Sequence, residues 1–359
     1  MVNVGIVGSG FGLYGLLPAF NATVGCKVIS ICSSKTQRLL EYYQNIGLKK
    51  IYSDWQVMLA NEKLDAIALA VPPNMQYQIA KVAIGRGLHI FAEKPLAVTY
   101  KQAKELLDLA EKNKIKHSVD FLFPEIEEWK KVKDLIDKKV LGKLKQICLN
   151  WDFLSYDIEN RRSSWKTDSA LGGGALSLYF SHSLYYLEHY AGLISGLKSL
   201  LTYSKESMNG GEVGVDLLLK FKDNITGYAH LCCNARGLNR HQLIFICENG
   251  TIVLENEGSY TSNFNIKIYT DGKIRKVSVP KEKSIKKNSH SVSVLPSPKW
   301  LQRPTKASRG KEDERVKVVK KIASRFVDSI IYNKKVTPSF KEGARVQWLI
   351  EKIRENSLQ

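Results

Sequence analysis

Residues 2–7 form an apolar run interrupted only by Asn3, short runs of similar kind recur at 27–32, 66–71 and 88–92, and a further strand reads at 116–121. Runs of this length without polar alternation read as strands buried on both faces. Stretches of helical period fall between them, at 13–20, 36–46, 75–85 and 99–112, with a shorter one from Ser53 through residue 59. Thr99 and Gln102 have capping-box spacing at the start of the amphipathic 99–112 helix. Strand and helix alternating through short connections predict an α/β domain with a doubly wound parallel sheet over residues 1–121.

Beyond residue 121 the pattern changes. A helix opens at Pro124 and runs to about residue 138, and longer strands follow at 144–153, 197–204, 213–221, 225–233 and 240–247. Asp223-Asn224, Glu248-Asn249-Gly250 and Asp271-Gly272 are hairpin signals. One helix, residues 175–190, interrupts the strands, and residues 280–310, rich in Ser, Pro and Lys, read as a long loop. Val316, Val319, Ala323, Phe326 and Ile330 mark the apolar face of one closing helix. Ser339 with Glu342 caps a second that reaches about residue 355. The expectation is a second, α+β domain over residues 122–359 built on a large, mostly antiparallel sheet. Val215-Asp216-Leu217-Leu218-Leu219 and Cys232-Cys233 make its strands apolar on both sides. Such a sheet predicts a homodimer or homotetramer joined through it.

Composition narrows the class. At 359 residues the chain can bury two cores, and no run is apolar enough to span a bilayer. The first residues read as a strand rather than a signal peptide, and the six cysteines show no C-x-x-C spacing. Free thiols in a reducing cytoplasm are the expectation, with neither a disulfide framework nor a metal site. The net charge is +19, and residues 273–335 carry 19 Lys and Arg against 5 Asp and Glu. Solvated lysine-rich faces or an anion-binding surface both account for that stretch. No aromatic-interleaved basic strand accompanies it, so nucleic acid is not expected as a partner.

The candidate chemistry sits at the ends of the first-half strands. Gly8-Ser9-Gly10-Phe11-Gly12 follows the first strand and opens a helix. In that context a G-x-G-x-x-G turn lets backbone amides approach a pyrophosphate at a helix N-terminus. The third fingerprint position is Leu13, with Gly12 beside it to provide close packing. The second strand ends in Ser33-Ser34-Lys35, with Arg38 one turn on and Ser34 and Gln37 at capping-box spacing. NAD enzymes usually place a carboxylate there for the ribose 2′-hydroxyl; hydroxyls and cations instead favour a 2′-phosphate and so NADP over NAD. Pro72-Pro73-Asn74 ends the 66–71 strand as a rigid turn and a second cofactor wall. Glu93-Lys94-Pro95 ends the 88–92 strand, which delivers the Lys94 cation to the carboxyl edge of the sheet.

These motifs, with Gly172-Gly173-Gly174-Ala175-Leu176 followed by His182, and the closing Ser339-Phe340-Lys341-Glu342-Gly343, resemble the Gfo/Idh/MocA oxidoreductases over essentially the whole chain. The resemblance implies a Rossmann domain that binds NAD(P) and a second domain that binds a sugar-like small molecule. It implies hydride transfer between nicotinamide and a secondary alcohol or ketone of a sugar, polyol or nucleotide-sugar. Two alternatives remain: a glycoside hydrolase-like enzyme with tightly held NAD, and a non-catalytic cofactor-binding homologue. The family's lysine and histidine map onto Lys94 and His182, an anchor for the substrate oxygen and a proton acceptor. Gly8, Ser9, Gly10, Phe11, Gly12, Ser33, Ser34, Lys35, Arg38, Pro72, Pro73, Asn74, Glu93 and Lys94 map onto the cofactor site. Many members carry an aspartate four residues before that histidine, where this chain has Leu178, and Phe180 replaces a usual glycine. Asp168, Tyr179 and Tyr186 are the polar residues near enough in sequence to stand in.

Overall fold

Strand β1, Val2–Val7, lies at the centre of the first sheet, with all but one of its residues buried. A computed structural model describes residues 1–34, 48, 50–258, 260–280 and 313–358. β2 (Cys26–Cys32), β3 (Ile51–Tyr52), β4 (Ala66–Leu69), β5 (His89–Ala92) and β6 (His117–Val119) complete that sheet. Its order is β3-β2-β1-β4-β5-β6, and every pairing is parallel. The chain winds outward from β1 in both directions, so the reversal falls between β1 and β4, where such sheets bind ligands. This is the α/β Rossmann arrangement expected from the apolar runs.

Between the strands run the helices Pro73–Gly85 and Tyr100–Lys112, the second capped by the Thr99 hydroxyl, which accepts from Gln102 N at 3.2 Å. The short helix Trp55–Asn61 is capped by Asp54 rather than by Ser53, because the Asp54 carboxylate takes the Gln56 amide at 2.7 Å. The expected 36–46 helix lies outside the described residues, as does nearly all of the 280–310 stretch. Helix Val316–Ile331 belongs to this first unit, which contains residues 1–122 and, of the later described residues, 313–344. It buries Val316, Val319, Ala323 and Phe326. Phe326 packs edge-on against Phe20 and Phe91, with ring centroids at 6.5 and 5.7 Å, so its side chain completes the core beneath β5.

The second unit holds residues 123–282 and 345–359. Its sheet comprises β7 (Leu144–Asp152), β8 (Ile194–Thr202), β9 (Gly214–Phe221), β10 (Thr226–Cys232), β11 (Arg240–Cys247), β12 (Gly250–Glu257), β13 (Asn265–Thr270), β14 (Lys273–Val277) and β15 (Ser357–Leu358). The order is β14-β13-β12-β11-β7-β10-β9-β8-β15, mostly antiparallel, with β7–β10 and β8–β15 parallel. One face is apolar and covered: Ile147, Leu149, Trp151, Leu217, Leu231, Leu243 and Phe245 are buried there. Helices Glu127–Asp137 and Ser181–Ala191 lie in this unit. The first starts three residues after Pro124, which instead lies in the middle of a single 3-10 turn, Phe123–Glu125. On the opposite face Leu218 is 64% exposed and Tyr228 37% exposed, beside half-buried Cys148 and Ile244. His230 joins Asp216 (2.8 Å) to Asp152 (3.0 Å) on that face, and Arg240 holds the other Asp152 oxygen at 2.7 Å.

Candidate active site

The glycine turn is built by close approach. Gly8 leaves β1 at φ +124°, and a Cβ there would lie 2.1 Å from the carbonyl oxygen of Ala70, so no other residue fits. Its amide donates to Cys32 O at 2.9 Å, which ties the turn to the end of β2. A Cβ at Gly12 would stand 3.3 Å from Ile6 Cγ2, so Gly12 supplies the helix-to-strand closeness and leaves Leu13 free to be a buried core residue. At Gly10 a Cβ would meet nothing within 4 Å, which leaves open space over the backbone of the turn. The helix that follows starts as a wide π-turn, Gly12–Leu16, and becomes α at Leu17–Asn21. Phe11 folds back over Gly15 and carries the Arg315 guanidinium 4.4 Å above its ring.

The other expected cofactor residues follow the carboxyl ends of neighbouring strands. Ser33 follows β2, its amide donating to Tyr52 O at 2.8 Å, and Ser34 is exposed. Lys35 and Arg38 lie outside the described residues. Pro72 caps the helix after β4, Pro73 is its first residue and Asn74 its second. Glu93-Lys94-Pro95 follows β5, with the Lys94–Pro95 peptide cis. Gln76, which the sequence reading missed, holds this segment. Its buried Nε2 donates to the carbonyl oxygens of Glu93 (2.7 Å), Pro95 (3.1 Å) and Leu96 (3.1 Å). Its only sequence signal is a polar residue on the inward face of the Pro73–Gly85 helix. Gly8 to Gly12, Ser33, the proline turn and Lys94 thus gather on one edge of one sheet.

A second missed residue, Asp120, follows β6. Its amide donates to Ala92 O at 2.9 Å, which sets its side chain beside that of Glu93. Asp120 is 1% exposed, and burial followed by the Glu93 charge pushes its carboxyl well above the usual range. Burial also raises Glu93, against the pull of Lys94 and Arg315. Arg315 is itself held by Asp313, Nε to Oδ1 at 2.8 Å and Nη2 to Oδ2 at 2.6 Å.

In the second unit the Gly172–Gly174 turn is equally cramped. A Cβ at Gly173 would lie 2.1 Å from Trp165 O, and one at Gly174, where φ is +94°, would lie 1.7 Å from Glu212 Oε2. Arg354 fastens this turn, donating to Glu212 Oε1 (2.9 Å), Gly173 O (3.4 Å) and Ser177 Oγ (3.2 Å). The helix then begins as a π-turn, Leu176–Phe180, before the α-helix Ser181–Ala191 that carries His182. His182 is only 2% exposed and meets Phe123 edge-on at 5.1 Å. Around it Trp151 stacks on His241 at 4.3 Å, and a chain of hydrogen bonds runs from Ser183 to Tyr186 (2.7 Å) to His241 (3.0 Å). Burial lowers His241 to about 3, so it is a neutral acceptor or donor there.

Leu178 lines a small cavity with Tyr179, Ser155, Asp157, Lys166 and Glu212. Asp157 and Lys166 face each other at 3.7 Å. They are the polar groups beside Leu178 that the sequence reading passed over, because nothing in the chain order links 157, 166 and 178. Of the expected stand-ins only Tyr179 lines the cavity. Asp168 is occupied by Ala170 N (2.9 Å) and Asn209 (3.2 Å), and Tyr186 is sealed in the aromatic cluster. Phe180 is fully buried core rather than a wall of the site.

A parallel sheet with a glycine-rich turn at its reversal, and a lysine on the same edge, defines a dinucleotide-binding oxidoreductase. The model of the oxidoreductase family with an NAD-binding Rossmann fold matches residues 2–121, and that of the GFO/IDH/MocA C-terminal domain matches 129–253. The chain belongs to the Gfo/Idh/MocA family of oxidoreductases. An uncharacterized oxidoreductase of Synechocystis sp. is 25% identical over 99% of this chain and 93% of its own. Levoglucosan dehydrogenase of Pseudarthrobacter phenanthrenivorans is 25% identical over 73% of this chain and 74% of its own. A solved levoglucosan dehydrogenase in complex with NADH and levoglucosan superposes with TM-score 0.81 at 18% identity, covering 99% of this chain and 97% of that one.

Proposed function

We propose that this enzyme transfers hydride between a nicotinamide cofactor and a secondary alcohol or ketone of a sugar or related polyol or nucleotide-sugar. The observation that carries this reading is the shared sheet edge: the Gly8–Gly12 turn with open space over Gly10, and Lys94 two strands away at the end of β5. Gly8, Ser9, Gly10, Phe11 and Gly12 would hold the pyrophosphate, with Pro72, Pro73, Asn74 and Glu93 forming the walls. Bound nicotinamide would supply the hydride acceptor or donor. Lys94 donates a hydrogen bond to the substrate oxygen and offsets the charge that develops on it. His182 accepts the hydroxyl proton during oxidation and returns it during reduction. Leu178 presents hydrocarbon to the substrate, which suits a ring position with no hydroxyl to satisfy, since a buried hydroxyl left without a partner costs about 1–3 kcal/mol. Levoglucosan is therefore the first sugar to assay, ahead of simple polyols.

Ser33 and Ser34, with Lys35 and Arg38 beyond them, put no carboxylate where the ribose 2′ position would lie. NADP(H) is expected to bind at least as tightly as NAD(H) in a fluorescence titration of both. A preference for NAD(H) that persists in Ser33→Ala and Lys35→Ala would remove this segment from cofactor selection. The six free cysteines fit a cytoplasmic enzyme, and among the described residues no helix is long and apolar enough to cross a membrane.

The open face of the nine-stranded sheet, with Leu218 and Tyr228 exposed, fits a homodimer or homotetramer joined through it. Light scattering should give an oligomer at micromolar concentration, and Leu218→Lys should weaken it. A monodisperse wild-type monomer across that range would count against the assembly.

A further inference from the structure

Two carboxyls stand side by side at the ends of β5 and β6, and neither takes part in the hydride or proton transfer proposed above. The Asp120 amide bonds Ala92 O at 2.9 Å, so the residues after the two strands are in lateral register. Both Asp120 carboxyl oxygens and Glu93 Oε1 are sealed from solvent, and no N–H or O–H of the described residues reaches them. Each carboxyl meets the other, and the Glu93 carboxyl also takes the backbone amide of Lys94. The cations acting on them are Lys94, next along the chain from Glu93, and Arg315, anchored to Asp313. Two ionised carboxylates in such a place would repel each other without water to screen them, whereas one proton between them turns the repulsion into a hydrogen bond.

We propose that Glu93 and Asp120 hold a single proton between them, and that Asp120, acting through Glu93, is a positioning residue for Lys94. Asp120 carries the proton and donates it to Glu93. Glu93 keeps the negative charge, because it lies next to the Lys94 cation, and that charge fixes the ammonium at the end of β5. The three carbonyl oxygens taken by Gln76 hold the backbone of the same segment, so main chain and side chain are fixed from different elements. The part played by Asp120 in turnover rests on the role proposed for Lys94; the shared proton does not.

Carboxyl carbon-13 NMR of protein labelled at its Asp and Glu side chains reads the pair with no substrate present. As pH rises from acid through neutrality, one buried carboxyl should stay protonated in the wild type, and that signal should be absent from Asp120→Asn. Two carboxylates at neutral pH would overturn the proposal. In turnover, Asp120→Leu should lower kcat roughly ten- to a hundredfold with KM little changed, the scale of a slightly misplaced reacting group. Asp120→Asn keeps a donor to Glu93 and the single negative charge, so it should remain near wild type. Equal damage in the Asn and Leu variants, or full activity in the Leu variant, overturns the positioning role. Lys94→Ala in the same assay separates the two levels: wild-type activity there would sink the role of Lys94 while the NMR result still decided the acid pair.

Discussion

Lys94→Ala should lower turnover by on the order of a hundred- to a thousandfold or more, the usual worth of a donor aimed at developing charge, while affinity for the nicotinamide cofactor changes little. The separation follows from the fold. The groups that would hold the pyrophosphate are backbone amides of the Gly8–Gly12 turn after β1, whereas Lys94 follows β5, with β4 between them. The substitution also leaves the acid pair behind it without its nearest cation, and this could disturb the local structure. Lys94→Met keeps the length of the stem and Lys94→Arg keeps the charge, so a panel of the three sorts charge from packing. Charge stabilisation predicts that Met is as damaged as Ala and that Arg is partly active. Steady-state kinetics beside a cofactor titration checks it, and wild-type kcat in both Ala and Met would show that Lys94 takes no part in the chemistry.

The second large effect is expected at His182. Removing a positioned general base should slow alcohol oxidation by about two to four decades, and the loss should ease at high pH, where hydroxide takes over part of the role. Burial complicates the simplest variant. His182 sits against Phe123 with almost no exposure, so His182→Ala opens a hole in the aromatic cluster and should cost stability, typically about 1–3 kcal/mol for a change of this kind. His182→Gln fills most of that space and can still hydrogen-bond, but it cannot take a proton. The base reading therefore predicts that Gln and Ala fall to similar rates while only Ala melts markedly earlier. If Gln retained the wild-type rate and pH profile, His182 would be a packing residue.

Most of the first unit was legible because parallel strands buried on both faces leave a nearly continuous apolar signature, which residues 2–7, 66–69 and 89–92 show with single polar exceptions at Asn3 and His89. The glycine turn was legible for the same reason that it forms: no side chain fits at Gly8. Gln76 and Asp120 were not legible. Each acts through a partner far away in sequence or on the neighbouring strand, and a single polar residue at the edge of an apolar run looks the same whether it caps, pairs or merely faces water. The return of residues 313–344 to the first unit was hidden too, since an amphipathic helix announces that it has a buried face but not which core it covers. In the second unit the β11–β12 and β13–β14 hairpins were announced only by their turns, Glu248-Asn249-Gly250 and Asp271-Gly272. The cavity beside Leu178 draws on positions from 155 to 233, which no local pattern links.

That turn also restricts how the sequence can vary. Gly174 admits no side chain while Glu212 keeps its place, Glu212 is held in that place by Arg354, and Arg354 at the same time secures the carbonyl oxygen of Gly173. A change at any one of the three leaves a steric clash, a buried carboxylate without its cation, or a cation without its anchor. Each such change should cost stability, so a substitution at one of the three calls for a compensating change at another. Leu178 and Tyr179 line the same small cavity that Gly174 and Glu212 border. Replacing a residue that lines this cavity therefore has to leave the Gly174, Glu212 and Arg354 contacts behind it in place.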